Sequence, residues 1–235
     1  MLAIFKREMR SYFTGVIGYV FLVLFLAVGG LLFCYTTLYS MSSSVTSYFL
    51  LMLLFSAVVL PLLTMKSFSE ERKLKTEQLL LTSPVSIHSM VLGKFLASYV
   101  MFAGALIFNS LYFLVLIPYT QLKFATLIGN LIALLLVGMV FITIGLFVSS
   151  LTENQLTAAI GTIAIILVLL AIGFINSLIP SDYWIRFIFD SISIFSRFQA
   201  FANGIFDVAS FIYYISVAAI FLYLTMRIYD RRRYN

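Results

Sequence analysis

Charged side chains, the groups that could do acid–base or binding chemistry, are most numerous in the long stretch of residues 66–94, which holds eight of them. The centre of this stretch reads Glu70-Glu71-Arg72-Lys73-Leu74-Lys75-Thr76-Glu77-Gln78-Leu79-Leu80-Leu81. Most of these residues are good helix formers, and Glu71 and Lys75 have the spacing of a favourable i,i+4 ion pair. The pattern predicts a helix over Ser69–Leu81 with one apolar stripe and one charged face. A solvated loop is the alternative.

Motifs for nucleotide binding and for common enzyme chemistry are absent from the sequence. Gly93-Lys94 lacks the first glycine and the hydroxyl residue of a phosphate-binding G-x-x-x-x-G-K-[ST] loop. H-E-x-x-H and G-x-S-x-G are missing, and His88 and Cys34 are the only residues of their types. The apolar segments also lack the charged residue that ion-coupled carriers place within the bilayer. We therefore expect no enzyme activity, metal or cofactor in this chain, and any energy must come from a partner.

A second unusual stretch, residues 180–209, is rich in aromatic side chains although it lies between two apolar runs. So many rings do not suit a solvated loop, and Asn203-Gly204 is typical of a helix C-terminus. The pattern predicts two short helices that dip into the outer leaflet, with aromatic rings in the interface. A soluble loop is the alternative. The residues predicted to characterise these outer helices are Trp184, Phe195, Arg197, Phe198, Phe201 and Gly204.

The elements that must position these residues are membrane-spanning helices. With 63% hydrophobic residues, only 10% charged residues and a mean hydropathy of +1.10, the chain is far more apolar than a soluble domain. Its apolar runs are near or above the ~20 residues that a helix needs to cross a ~30 Å hydrocarbon core. Six spans are predicted, at Val16–Leu38, Tyr48–Met65, Phe95–Ile117, Ala125–Leu151, Leu156–Ile179 and Ser210–Met226.

The distribution of basic residues predicts the orientation of these spans. With the N-terminus inside, only Lys123, Arg186 and Arg197 fall in outer segments, which leaves twelve of the fifteen Lys and Arg residues inside. Both termini are therefore expected in the cytoplasm. The net charge of +6 follows from this topology and not from a nucleic-acid site, because the charges sit at membrane edges. Residues 1–14 predict an amphipathic helix in the headgroup plane, with a plain basic anchor as the alternative.

The third span has a long leader on the cytoplasmic side. Ser83-Pro84 has the signature of a helix start, with serine as the N-cap and proline at the first helical position. A helix from Pro84 to Ile117 would be about 50 Å long, which exceeds the hydrocarbon thickness. We therefore expect this helix to project into the cytoplasm or to bend near Gly93.

Three segments, in this order, resemble ABC-2-type permeases, the membrane halves of ATP-driven exporters. Glu70-Glu71-Arg72 through Thr76-Glu77-Gln78-Leu79-Leu80-Leu81-Thr82-Ser83-Pro84-Val85, followed by Leu92-Gly93-Lys94-Phe95, is similar to that family's E-E-[KR]-x-x-G-T-x-E-L-L-L-T-x-P-V and L-G-K-F. Gly145 through Gln155, with Glu153 and Asn154 in its inner turn, is similar to the signature between spans four and five. Phe195-Ser196-Arg197-Phe198 through Asp207 resembles the branch that contains gliding-motility (GldF-type) permeases. Lys75 stands where the family has glycine, so a more helical turn is expected, and Arg197 stands where histidine is common.

The resemblance implies an all-α membrane protein that forms a single ABC-2-type transmembrane domain over residues 1–235 in a bacterial inner membrane. Its parts would be six transmembrane helices, an N-terminal interfacial helix (residues 1–14), a cytoplasmic coupling region between spans 2 and 3 (residues 66–94) and re-entrant outer helices between spans 5 and 6 (residues 180–209).

The resemblance also implies an exporter in which two separate ATPase subunits, which bind ATP and Mg²⁺, dock beneath two permease halves. The implied docking residues are Glu70, Glu71, Arg72, Leu74, Lys75, Glu77, Leu79 and Leu80. Reversal of Glu71 and Glu77 to lysine is expected to uncouple transport from ATP hydrolysis. A second copy of the chain, membrane lipids and an auxiliary membrane-anchored protein are the other implied partners. A non-transporting scaffold or a membrane-embedded enzyme is the competing interpretation.

Overall fold

The computed structural model describes residues 1–40, 45–78, 86–116, 118–119, 124–178, 193–202, 204 and 207–234. Within these ranges the chain is built from helices and contains no strand. The α-helices are α1 (Leu2–Thr14), α2 (Val16–Phe33), α3 (Val45–Thr64), α4 (Lys66–Lys73), α5 (Ile87–Ser110), α6 (Phe124–Leu151), α7 (Gln155–Leu178), α8 (Ile194–Ala202) and α9 (Val208–Tyr234).

Six helical segments are long and apolar enough to cross a membrane. They are Val16–Tyr39, Val45–Lys73, Ile87–Leu116, Phe124–Leu151, Gln155–Asn176 and Val208–Arg233. The first segment ends in a π-helical turn (Cys34–Tyr39) and the third in a 3₁₀ turn (Leu111–Leu116). Each segment overlaps one predicted span, so the expectation of an all-helical protein with six spans is confirmed by length and composition.

Helix α6 lies at the centre of the bundle and packs against α3, α5, α7, α8 and α9. Two glycines allow this close packing. A Cβ added at Gly138 would lie 2.1 Å from the ring of Phe102 on α5, and one added at Gly145 would lie 2.1 Å from Oγ1 of Thr64 on α3. Small residues of this kind let helix backbones approach each other inside a membrane protein.

Helix α1 and the last turns of α9 lie at the same end of the bundle, which we call the charged end. It comprises α1, α4, the start of α5, the turn between α6 and α7, and the last turns of α9. The ion pairs that join these elements include Arg7–Glu71, Arg72–Glu153 and Arg232–Glu77. Helix α8 lies at the opposite end, where it packs against α6 and α7.

The expected N-terminal helix is present as α1, and it packs against the start of α5. Ile4 and Tyr12 are buried, and the Tyr12 hydroxyl lies 2.8 Å from Oγ of Ser98. Helix α5 continues through Gly93, where an added Cβ would lie 3.1 Å from Ile4. Gly93 therefore accommodates α1 within an unbroken helix. The location of α1 in the headgroup plane stays a prediction.

The structure does not form the predicted continuous helix over Ser69–Leu81, whose predicted end at Leu81 lies outside the described residues. Helix α4 begins at Lys66, directly after α3, and ends at Lys73. Residues 74–76 form a turn in which Lys75 has a φ of +56°, and this left-handed conformation stops the helix. The expectation of a more helical turn at Lys75 is therefore also wrong. Ion pairs with separate parts of the fold hold Glu71 and Glu77 on either side of the turn, and they override the local helix propensity.

The predicted helix start at Ser83-Pro84 lies outside the described residues, as do Leu79, Leu80 and Leu81. The described part of the third span begins at Ile87, and Ser86 is its N-cap. The Ser86 side-chain oxygen accepts a hydrogen bond from the backbone N–H of Ser89 at 3.3 Å. This cap follows the usual preference for serine at this position.

Candidate functional site

Lys94 is the central residue of the charged end, and it is only 1% exposed. Its Nζ lies 3.2 Å from Oε1 of Glu8 and 3.0 Å from Oε1 of Glu71, and it donates a hydrogen bond to the Ser67 carbonyl at 2.6 Å. The ammonium also lies 4.9 Å from the ring centroid of Phe68. A buried charge is costly unless it is paired and hydrogen-bonded, and Lys94 meets both conditions. It ties α1, α4 and α5 together.

Arg7 on α1 completes this cluster from its exposed side. Its Nη2 lies 2.6 Å from Oε1 of Glu71 and 2.8 Å from Oε1 of Glu8. Burial alone would raise the pKa of Glu8, but the nearby Lys94 and Arg7 outweigh that effect and hold the pKa of this carboxyl below its usual range. Glu8 is therefore a carboxylate at neutral pH, as the two cations require.

The two adjacent glutamates of α4, Glu70 and Glu71, form ion pairs other than the one predicted from the sequence. Glu71 pairs with Arg7 and Lys94, so the predicted pair with Lys75 does not form. Glu70 instead makes the i,i+4 pair, with Lys66, at 3.1 Å. The Glu71 carboxylate therefore joins α4 to α1 and α5.

Arg72 joins α4 to the end of α6. Its Nη1 donates a hydrogen bond to the Leu151 carbonyl at 2.8 Å, and its Nε lies 3.1 Å from Oε1 of Glu153. A cation suits this position, because the last carbonyls of a helix have no partner within the helix and carry partial negative charge. Asn154, the other predicted residue of this turn, accepts a hydrogen bond from the Leu156 N–H at 3.0 Å and caps α7.

A second arginine reaches the same helix end from α9. Arg232 donates one hydrogen bond to the Ser150 carbonyl at 2.7 Å and forms an ion pair with Glu77 at 3.0 Å. The ring of Tyr229, one turn earlier on α9, lies 4.9 Å from the ring of Phe68 on α4. The segment that follows span two is thus attached to α1 and α5, to the end of α6, and to α9.

Ser149 on α6 holds the break between α3 and α4. Its hydroxyl accepts hydrogen bonds from the backbone N–H groups of Phe68 and Ser69, both at 3.1 Å, and donates one to the Met65 carbonyl at 3.0 Å. A serine hydroxyl offers one donor and two acceptor positions, so these three bonds use its full capacity. Backbone groups at the break are thereby satisfied by a side chain from a neighbouring helix.

The exposed part of this segment is the turn that follows α4. Lys73, Leu74, Lys75, Thr76 and Gln78 are exposed, and Leu74 is 63% exposed. Of the described docking candidates, Leu74 and Lys75 therefore lie on the outward surface. Glu71, Arg72 and Glu77 face other parts of the same chain.

At the opposite end, α8 forms from the predicted aromatic stretch. Phe198 and Phe201 are buried and Phe195 is partly buried. The Ala202 carbonyl accepts a hydrogen bond from Nδ2 of Asn130, six residues after the start of α6, so α8 lies alongside the first turns of α6 and not beyond them.

Helix α8 ends at Ala202, close to Gly204, where the sequence predicts a helix C-terminus. Gly204 has a φ of +77°, and its N–H donates to the Phe201 carbonyl at 2.9 Å, as expected just after a helix. Arg197 lies over the ring of Tyr213 on α9, 4.4 Å from its centroid. Trp184 lies outside the described residues, and the entry of α8 into a leaflet stays a prediction.

Sequence reasoning missed Lys94, Arg7, Arg232 and Ser149 as parts of this site. Lys94 is one of the basic residues and part of the Leu92-Gly93-Lys94-Phe95 motif, but neither pattern predicts its ion pairs. The sequence does hold one indication that Lys94 is paired. It lies within an apolar run that begins at Met90, and a lysine buried in such a run needs a carboxylate partner. In the described part of the chain, no three His, Cys, Asp or Glu residues are grouped in a way that could hold a metal ion.

Comparison with known proteins identifies one family. A family model described as ABC-2 family transporter protein matches residues 35–229, which include the turn after α4, the α6–α7 turn and α8. Arg7 and Glu8 lie before the matched segment. A search of curated proteins found no significant match.

Proposed function

The chain belongs to the ABC-2 family of transporter proteins, and from that membership we propose that it is the permease half of an ATP-driven exporter. Separate ATPase subunits would bind ATP and Mg²⁺ and would dock at the charged end. The six apolar helices suit the membrane part of such a complex. The positive-inside distribution supports a cytoplasmic location for the charged end and for both termini.

The observation that carries the proposal is the combination of an exposed tip and an attached base in one short segment. The tip, residues 73–76, presents Leu74 between two lysines, and an exposed leucine ringed by charge is suited to fill a groove on a partner. The base is fixed to α5 through Glu71, to α6 through Arg72 and to α9 through Glu77. A movement of the tip would therefore be transmitted directly to α5, α6 and α9.

The roles of the predicted docking residues divide accordingly. We assign Leu74 and Lys75 to contact with the ATPase. Glu70 is only partly exposed, and Leu79 and Leu80 lie outside the described residues, so a docking role for these three stays a prediction. Glu71, Arg72 and Glu77 transmit the motion through intramolecular pairs. Reversal of Glu71 and Glu77 to lysine would place new cations beside Lys94 and Arg232, so it would disrupt the charged end itself as well as coupling.

The complete assembly would contain two copies of the chain and two ATPase subunits in a bacterial inner membrane. The external stretch around α8 would face the outer side as a re-entrant element and would contact an auxiliary membrane-anchored protein where one is present. The pattern around Phe195–Asp207 supports placement in the gliding-motility branch of the family.

The experiment is purification of the full chain in mild detergent from its native host, with identification of every co-purifying subunit and measurement of ATPase activity. We expect an ATPase with a phosphate-binding loop to co-purify. Leu74→Ser should reduce its recovery and its stimulation at least about tenfold, as loss of a central interface side chain does. Leu156→Ser is the matched control, because Leu156 is 67% exposed at the same end. Recovery of no ATPase, or equal recovery with Leu74→Ser, would contradict the proposal.

A further inference from the structure

A pocket of about 310 Å³ lies at the charged end between α1, α4 and the start of α2. The charged residues that line it are Arg7, Glu8, Lys66, Glu70, Glu71 and Lys94. Its volume is at the small end of the range for small-molecule sites, so it suits a group of headgroup size. One wall is formed by Ile17 and Gly18, where the first apolar span begins, and the others carry charge.

From this pocket we propose a binding site for a phosphoethanolamine headgroup, presented by a zwitterionic membrane phospholipid. The pocket straddles the point where an apolar span meets charged helices, and this is the depth of lipid headgroups. Beyond Ile17 and Gly18, side chains of α2 such as Val20 and Val23 are exposed and can lie against the acyl chains. This proposal does not depend on an ATPase or on transport.

The charge of the lining favours a zwitterion over an anion. The lining contains three basic and three acidic residues, so its net charge is zero. A phosphate group could pair with Arg7 and Lys66, whose side chains are about one-half and one-third exposed. A purely anionic headgroup would also be repelled by the carboxylates of Glu70 and Glu71. A headgroup with its own cation satisfies both signs.

The pocket also favours a primary ammonium over a quaternary one. Proteins bind quaternary ammonium groups in cages of several aromatic rings, and Tyr12 is the one aromatic residue among those that line this pocket. A primary ammonium can instead donate hydrogen bonds to carboxylates. Glu70 suits this role, because its i,i+4 pair with Lys66 is partly exposed and such pairs contribute little to stability. A ligand can therefore exchange that pair for its own two charges at small cost.

Ser67 supplies an independent indication of a ligand. This residue lines the pocket and is 7% exposed, and among the described residues its Oγ has no hydrogen-bond partner. A buried hydroxyl without a partner is destabilising, and few are left so in folded proteins. The oxygen is itself buried, so a rotation that turns the hydroxyl into the pocket would let a phosphate oxygen of the headgroup accept its hydrogen bond.

The test uses the full chain in nanodiscs of phosphatidylglycerol with an increasing fraction of phosphatidylethanolamine. The thermal unfolding midpoint is followed, and retained lipid is identified by native mass spectrometry. We expect the midpoint to rise and saturate with phosphatidylethanolamine, with one retained lipid per chain. An equal rise with phosphatidylcholine, or greater stability in pure phosphatidylglycerol, would overturn the proposal. An equal rise with soluble glycerophosphoethanolamine would overturn the membrane lipid as its source.

Ser67→Ala separates ligand binding from stability. Without phosphatidylethanolamine, the variant should be as stable as the wild type or more so, because an unpaired hydroxyl is removed. Its half-saturating fraction of phosphatidylethanolamine should rise about fivefold, as expected for one lost hydrogen bond. Ser56→Ala is the matched control, since its hydroxyl donates to Met52 within α3, away from the pocket. An unchanged lipid response in Ser67→Ala would contradict the site.

Discussion

Lys94 on α5 and Glu71 on α4 form an ion pair whose Nζ and Oε1 atoms lie 3.0 Å apart, with only 1% of the lysine side chain exposed. Fully buried lysines are rare in proteins and are almost always paired. The pair joins α4 to the third span, so it connects the base of the exposed turn at Leu74 to the bundle. It is one of several contacts that attach the base of that turn to the bundle.

The first prediction concerns Lys94→Met, which keeps the length and apolar volume of the side chain but removes its charge. Glu8 and Glu71 would then lose Lys94 as a partner, and removal of one member of a buried pair costs about 3 kcal/mol. We expect a loss of this size in the unfolding free energy of the detergent-solubilised chain. Lys73→Met, at an exposed position on α4, should change it by less than about 0.5 kcal/mol.

The double variant Lys94→Met/Glu71→Gln checks that the loss arises from this pair. With both charges removed, the cost should be smaller than the sum of the two single losses, because the groups are in contact. Additive losses would show that Lys94 stabilises the charged end through its other contacts.

The second prediction concerns the left-handed residue in the turn. Lys75 has a φ of +56°, a conformation that disfavours most side chains and that glycine adopts freely. Lys75→Gly should therefore raise the unfolding free energy by about 0.5 kcal/mol, after allowance for the greater entropy of the unfolded chain. Lys73→Gly, at the last residue of α4, should instead lower it by about 0.5 kcal/mol. The same sign at both positions, measured by denaturant unfolding, would exclude a left-handed turn.

The membrane spans could be predicted from the sequence because one property, apolar length, determines them. Val16–Leu38 was predicted and Val16–Tyr39 is observed, and Ala125–Leu151 differs from the observed span by one residue. The helix end at Gly204 could also be predicted from local sequence, because glycine commonly takes the left-handed conformation just after a helix whatever the surrounding fold.

The charged end could not be predicted to the same degree because its geometry depends on contacts between distant residues. Glu71 has Lys75 at helical spacing, yet it pairs with Arg7 and Lys94 from two other helices. Ser149 lies in a motif noticed only for its resemblance, and its role depends on the approach of α3 and α4. Local spacing cannot indicate which distant side chain will supply the better partner.

The third prediction concerns Ser149→Ala, which removes three hydrogen bonds at the break between α3 and α4. The N–H groups of Phe68 and Ser69 would lose their acceptor in a buried location, and each buried unsatisfied group costs about 1–3 kcal/mol. We expect a loss of about 3 kcal/mol, together with a broader distance distribution between spin labels on α3 and α4. Ser150→Ala is the matched control, because its hydroxyl donates only locally, to the Phe147 carbonyl. Equal losses in the two variants would mean that Ser149 has no special role at the break.

The fourth prediction concerns the pH dependence that Glu8 contributes. Lys94 and Arg7 hold the pKa of Glu8 below its usual range despite burial, so the folded chain binds this proton less readily than the unfolded chain. The stability from Glu8 is therefore fully present above the ordinary glutamate pKa of about 4.3 and is lost as the pH falls through the lower folded value. Glu8→Gln should destabilise the chain at pH 7 by about 1–3 kcal/mol, since it removes a charged hydrogen-bond acceptor of Lys94.

The measurement is the difference between wild type and Glu8→Gln in thermal unfolding midpoint, taken from pH 7 down to the lowest pH at which the chain stays in solution. The difference should be constant above about pH 5 and should shrink towards zero on acidification. Glu153→Gln is the matched control, because that carboxylate is 65% exposed and pairs with Arg72 at the surface, where ion pairs contribute little. A Glu8→Gln difference that stays constant at all pH values would show that Glu8 is not held as a carboxylate by Lys94 and Arg7.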